Sequence, residues 1–63
     1  MVITFPDGGT REYPGGTTFM DIAKSISEGF AKKVLAAKAD GMLYDMSAEA
    51  PGDSAVVFLT FND

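Results

Sequence analysis

Apolar and β-branched residues alternate with polar ones over residues 1–5, and this period of two predicts a β-strand with Ile3 and Phe5 on one face. Turn-forming residues follow at Pro6-Asp7-Gly8-Gly9, where glycine permits a positive φ. Residues 10–13 then form a suitable return strand. The pattern therefore predicts an N-terminal β-hairpin.

The period changes to that of a helix after Gly16. Apolar residues recur there at helical spacing and would form one stripe: Phe19, Ile22, Ala23, Ile26 and Phe30. Thr18 is a suitable N-cap, with Asp21 placing a carboxylate in the first turn. Gly29 is a typical C-terminal stop. The sequence predicts one helix that begins after Thr18 and ends near Gly29.

Residues 33–39 are ambiguous because their alanines favour a helix. We interpret them as a strand, since they lead into Asp40-Gly41, a strong signal for a tight hairpin turn, followed by apolar residues 42–44. Small alanines in a strand indicate that something bulky packs closely across them, and the helix is the natural candidate. Residues 45–50 are predicted to be irregular.

Residues 55–61 are apolar at alternate and intervening positions, which predicts a central strand buried on both faces. The chain thus combines a hairpin, a helix, short strands and a buried last strand. The fold class is α+β, with one main helix on one face of a mixed four- to five-stranded sheet. If the last strand lies beside the first, this is a β-grasp, the ubiquitin-like roll. We expect residues 1–63 to form one domain.

Composition narrows the chemistry. The 63 residues include no Cys, His or Trp, so thiolate nucleophiles, imidazole bases and ordinary zinc sites are excluded. No apolar run is long enough to cross a membrane, and the absence of Cys fits a cytoplasmic protein. Most of the core is expected to come from the aromatic residues: Phe5, Tyr13, Phe19, Phe30, Tyr44, Phe58 and Phe61.

The order of short motifs resembles the TGS domain, a family found in threonyl-tRNA synthetases, certain GTPases and stringent-response enzymes. The motifs that carry the resemblance are Ile3-Thr4-Phe5-Pro6-Asp7-Gly8, Gly16-Thr17-Thr18, Asp21-Ile22-Ala23 and Ala36-Ala37-Lys38-Ala39-Asp40-Gly41. Residues 23–33 look closest to the version at the N-terminus of bacterial threonyl-tRNA synthetase, and residues 58–63 resemble the point where that domain ends. The chain has Asp40-Gly41 where the family commonly has Asn-Gly, and both dipeptides support the same turn.

The resemblance implies an accessory domain without chemistry of its own, excised from a longer chain. Its expected work is docking on adjacent domains of its parent chain, with tRNA positioning as a further role. The parent would be an ATP-dependent threonine–tRNA ligase that uses magnesium and zinc outside this domain, which itself is expected to hold no cofactor. The alternative is a regulatory TGS module, of a stringent-response enzyme or a GTPase, that binds a nucleotide or an amino acid.

Charge suggests where RNA would bind. The net charge is −4, yet residues 24–38 hold four lysines and a single acid. The candidate RNA contacts are Lys24, Lys32, Lys33 and Lys38. A solvated edge that discourages strand-to-strand aggregation is the commoner explanation for lysines in such a segment.

Other candidate sites are weaker. The glycine pairs Gly8-Gly9 and Gly15-Gly16 lack the Gly-Lys of a P-loop, so turns are the better interpretation. Lys24 and Ser25 are adjacent on a helix and do not face each other, as a Ser–Lys nucleophile would require. An acidic series lacks the spacing of a calcium loop and is read as solvated carboxylates: Asp40, Asp45, Glu49 and Asp53.

Overall fold

The computed structural model describes residues 1–60, and it begins with the predicted hairpin. Strands β1 (Val2–Thr4) and β2 (Thr10–Glu12) pair antiparallel, with Val2 opposite Glu12. The intervening turn needs glycine at Gly8, whose φ is +90°. Phe61 lies outside the described residues, so its predicted place in the last strand and the core stays a prediction.

The predicted single helix is two helices, α1 (Phe19–Ile26) and α2 (Glu28–Ala31). The Thr18 side chain caps α1 by accepting a hydrogen bond from the Asp21 amide at 3.2 Å, as predicted. The break falls at Ser27, whose backbone is extended and whose hydroxyl accepts from the Phe30 amide at 3.3 Å. Ser27 therefore caps a second helix, as serine commonly does.

The prediction that Gly29 ends the helix is wrong, because Gly29 lies inside α2. The break also divides the predicted apolar stripe. Phe19, Ile22 and Ala23 are buried, but Ile26 is 40% exposed at the end of α1. Phe30 is redirected by α2 and meets Phe58 with its ring edge-on, at a centroid distance of 5.6 Å.

The second hairpin follows the prediction. Strands β3 (Val34–Ala39) and β4 (Met42–Asp45) are joined by Asp40 and Gly41, both with positive φ, as the tightest hairpin turn requires. Ala37 and Ala39 are buried in the same core as the apolar side chains of α1. The small side chains of β3 therefore let the helix lie close to the sheet, and residues 46–50 are irregular, as expected.

The last described strand, β5 (Ser54–Thr60), lies in the middle of a five-stranded sheet ordered β2-β1-β5-β3-β4. It pairs parallel with β1 and antiparallel with β3, which confirms the mixed sheet of a β-grasp. Its predicted burial on both faces is wrong: Val56 is fully buried, whereas Val57 is 44% exposed. The helices cover one face only, so alternate residues of a central strand remain in water.

The core depends less on aromatic residues than predicted. Phe19 is the one fully buried aromatic residue among residues 1–60, and it contacts Tyr44 at a ring distance of 5.3 Å. The other described aromatics are partly buried around the core. Aliphatic side chains and alanines fill most of the interior.

Candidate functional site

The four candidate lysines do not form one surface. Lys24 on α1 and Lys32 just after α2 border the same open hollow of about 330 Å³, together with Met20, Glu28 and Ala31. Both lysines are exposed, and so is Lys33 in the turn that leads to β3. The break at Ser27 brings Lys24 and Lys32 to one hollow, which helical periodicity does not predict.

Lys38 lies elsewhere. It stands between Val57 and Leu43 in one cross-strand row of the sheet, whereas its neighbours Ala37 and Ala39 are buried beneath the helices. Because successive side chains of a strand point to opposite faces, Lys38 is on the face away from α1 and α2. A single phosphate chain that contacts Lys24 and Lys32 would therefore not meet Lys38 on the same side of the domain.

A second cavity was not expected from the sequence. It is an open cleft of about 350 Å³ between the first hairpin and α2, with an apolar lining of Phe5, Ile26, Phe30 and Phe58. Asp7 and Arg11 contribute charge to it. Its size and mixed lining suit a small apolar ligand or a side chain of a partner.

The polar groups of this cleft also serve the fold. One guanidinium N–H of Arg11 donates to the Ser25 carbonyl at 3.2 Å, and an Asp7 carboxylate oxygen accepts from the Gly9 amide at 2.9 Å. The Tyr13 and Ser25 hydroxyls are hydrogen-bonded at 2.7 Å. The bonds from Arg11 and Tyr13 to Ser25 tie the first hairpin to the end of α1, and the Asp7 bond holds the turn of the hairpin.

Two of the four acidic candidates accept hydrogen bonds from backbone amides of the sheet. Asp53 accepts a hydrogen bond from the Val2 amide at 2.7 Å, and Asp40 accepts from the Ala55 amide at 3.0 Å. Each carboxylate joins the start of one strand to a segment far away in sequence. Over residues 1–60, no three His, Cys, Asp or Glu side chains come together as metal ligands would.

The Ser25 hydroxyl is also engaged. It donates to the Ile22 carbonyl at 2.6 Å and contacts Tyr13, so it has the environment of a structural serine. Gly8 and Gly16 both have positive φ, which agrees with the turn interpretation of the glycine pairs. Neither feature offers a nucleophile or a phosphate loop.

The face of the sheet that the helices leave open carries apolar side chains. We call it the outer face and define it by Leu43 on β4, Lys38 on β3, and Val57 and Leu59 on β5. Leu43 is 63% exposed and Leu59 is 36% exposed. Leu35 adjoins them at an irregularity in the pairing of β3 with β5, between Val34 and Ala36.

None of the helices in the described part of the chain is long and apolar enough to cross a membrane.

The sequence profile of the TGS domain family matches residues 1–59. Among curated proteins, the threonine–tRNA ligase of Cytophaga hutchinsonii is 56% identical over 61 residues, and that of Desulforamulus reducens is 48% identical over 61 residues. The threonine–tRNA ligase of Rhodopseudomonas palustris is 43% identical over 63 residues.

These matches cover 97% of the chain for the first two relatives and all of it for the third. In each case they cover 10% of the relative. The chain therefore spans about a tenth of the length of the curated relatives that it matches.

Proposed function

The chain belongs to the TGS domain family, and from that membership we propose that it is a non-catalytic accessory domain of a threonine–tRNA ligase. The observation that carries the proposal is the pattern of the matches: nearly the whole chain is similar to a tenth of each ligase. We infer that residues 1–63 are one domain of a longer cytoplasmic polypeptide. Its principal role is to dock on a neighbouring domain of that polypeptide.

The chemistry of the chain supports a docking role. The sequence supplies no Cys or His, and the carboxylates of Asp40 and Asp53 are used as hydrogen-bond acceptors for backbone amides. ATP, magnesium and zinc would be bound by other parts of the parent ligase. The domain would contribute a rigid docking surface, since these two carboxylates hold strands of the sheet in place.

The test uses the full-length product of the gene. We expect it to attach threonine to tRNA, and we expect removal of residues 1–60 to leave threonine-dependent ATP–pyrophosphate exchange within about threefold, or ~0.7 kcal/mol in activation free energy. Loss of exchange in a folded deletion variant would contradict the accessory role. A gene product that does not charge tRNA with threonine would contradict the proposed parent.

Contact with tRNA is a further part of the proposal. Lys24 and Lys32 border one hollow, and Lys33 is exposed close by in sequence, so these three would contact phosphates together. Lys38 lies on the outer face and would not share this contact. Glu28 in the same hollow weakens the attraction, so binding would be weak and salt-sensitive.

The tRNA contact can be tested by NMR titration of the 63-residue chain with tRNA. Amide shifts confined to residues near Lys24 and Lys32, lost in Lys24→Ala and retained in Lys38→Ala, would support it. Shifts that require Lys38 alone would move the contact to the outer face. An unchanged spectrum would remove the RNA role.

The cleft favours one alternative, a regulatory TGS module of a stringent-response enzyme or a GTPase that binds a small ligand. About 350 Å³ is enough for an amino acid or part of a nucleotide. Thermal unfolding with threonine, ATP and guanine nucleotides tests this alternative, since a ligand at ~100 times its Kd adds about 2.7 kcal/mol to stability. No change in Tm with any of them would count against it.

A further inference from the structure

The exposed apolar residues of the outer face lie at neighbouring positions around Lys38 rather than scattered over the sheet. Val57 is the cross-strand partner of Lys38, and Lys38 is the partner of Leu43, so these three form one row across three strands. In the next row, Leu59 is opposite Ala36, and Ala36 is opposite Asp45 on β4. The patch therefore crosses the centre of the sheet from β5 to β4.

The exposed apolar side chains of the outer face are not part of the buried core of this domain. An antiparallel sheet with one face in water usually carries polar side chains on that face. Here Val57 and Leu59 are exposed on the central strand, although the core is already complete on the other face. Contiguous exposed apolar surface on a small domain indicates an interaction site.

We propose that the outer face binds another domain of the same polypeptide, through an apolar strip on that domain and a carboxylate that faces Lys38. This inference rests on the proposed function, because it takes the occupant from the rest of the parent chain. The relatives are about ten times longer than the matched segment, so such a chain has ample surface to cover the patch. A tethered neighbour also has a high effective concentration, which favours contact even over a small area.

The charge of Lys38 disfavours a contact between two copies of this chain that is centred on it. In a two-fold contact the same patch is used by both copies, so a contact centred on the row of Lys38 would bring two Lys38 ammonium groups together. Like charges placed opposite each other in an interface are costly. A two-fold contact displaced towards Asp45, which is opposite Ala36 on the same face, would instead pair Lys38 with an acid, so the oligomeric state of the 63-residue chain is measured directly.

Neighbouring residues of β4 provide a matched test. Leu43 is 63% exposed and Met42 is 64% exposed, but Met42 pairs with buried Ala39 and so projects towards the opposite face. The chain has no Cys, so Leu43→Cys and Met42→Cys each introduce one thiol into this domain. In the full-length protein, the alkylation rate of each thiol is measured from the peptide that carries it. Each rate is then divided by the rate of the same thiol in urea, which corrects for intrinsic reactivity.

We expect the thiol of Leu43→Cys to react about tenfold more slowly than that of Met42→Cys, which corresponds to a population that is ~90% docked. Equal rates would overturn the proposal, because the outer face would then be open. Equal slowing of both would also overturn it, because the contact would then cover the edge of β4 and not the outer face. Circular dichroism of both variants checks that the fold is kept.

A charge reversal tests the proposed carboxylate. Lys38→Glu, added to Leu43→Cys, should restore most of the lost reactivity, whereas Lys33→Glu, which has the same charge change off the patch, should not. Full restoration by both or by neither would contradict a specific acid opposite Lys38.

Two further measurements separate this inference from its rivals. Sedimentation of the 63-residue chain should show a monomer, and a dimer that Val57→Lys abolishes would assign the patch to a second copy instead. Threonine charging is assayed on the same full-length preparations. Charging with an open outer face would sink this inference and leave the proposed function standing, whereas a protected outer face without charging would sink the proposed function.

Discussion

Val56 and Val57 are the same residue type, adjacent on the same central strand, yet one is fully buried and the other is 44% exposed. The difference comes from the two faces of the sheet. The inner face packs against the helices. Ile3 on β1 and Phe19 and Ile22 on α1 are all fully buried there. The outer face carries comparable apolar side chains with nothing packed on them among residues 1–60.

The comparison shows that an apolar residue in a strand does not report burial within its own domain. The sequence of β5 is typical of a strand that is buried on both faces of its sheet, whereas this domain buries only one face. The second cover, on our account, belongs to another part of a longer protein.

The largest effect is expected at the centre of the inner face. Phe19→Ala should lower the free energy of unfolding by about 4 kcal/mol, because it leaves a cavity where a fully buried ring was packed against Tyr44. In urea denaturation this would remove most of the stability of a domain of this size. Leu43→Ala on the outer face is the control, and a comparable loss there would contradict the contrast between the faces.

The adjacent valines give the sharpest contrast. Val56→Ala should cost about 2 kcal/mol, since it removes buried apolar surface and leaves a cavity. Val57→Ala should cost less than ~0.5 kcal/mol in the 63-residue chain, as surface substitutions generally do. Equal costs in urea denaturation would mean that both faces are covered within the domain.

A smaller effect is expected for a hydrogen bond at the start of a strand, away from the packed face of the sheet. Asp53→Ala removes the acceptor of the Val2 amide and should cost about 1 kcal/mol. Asp53→Asn keeps an acceptor oxygen and should cost less. If the two variants have the same Tm, the hydrogen bond does not hold β1 beside β5.

The smallest effect has the opposite sign. Gly29→Ala should raise the free energy of unfolding by about 0.5 kcal/mol, because Gly29 is helical and an added Cβ would meet nothing closer than the Ser27 hydroxyl at 3.7 Å. Gly41→Ala is the matched control and should be destabilising, since Gly41 has a φ of +85°. Destabilisation by Gly29→Ala would indicate that Gly29 ends the helix, as the sequence predicted.

Much of the fold could be predicted from short-range signals. The Asp40-Gly41 turn, the Thr18 cap and the alternation in β1 are local, and each has a local physical cause. The break at Ser27 was missed because serine and glycine both punctuate helices, and two candidate breakers stood two residues apart. The burial of β5 was predicted wrongly because apolar residue types do not show whether one face or both faces of the sheet are packed within the domain.

The candidate site was less predictable. The meeting of Lys24 and Lys32 at one hollow and the cleft beside Phe30 both follow from the helix break, and a single uninterrupted helix predicts neither. The roles of Asp40 and Asp53 depend on contacts with residues far away in sequence. Periodicity carries no information about such contacts, whereas family resemblance gave the fold and the parent protein class.

Solvent access to the methyl groups of Val56 and Val57 is the most direct test of the central claim, that this sheet is covered on one face only. A soluble paramagnetic probe added to the 63-residue chain should enhance the relaxation of the Val57 methyl signals strongly and leave those of Val56 nearly unchanged. Similar, weak enhancement at both valines would contradict the claim, because it would show that the domain buries its outer face without a partner.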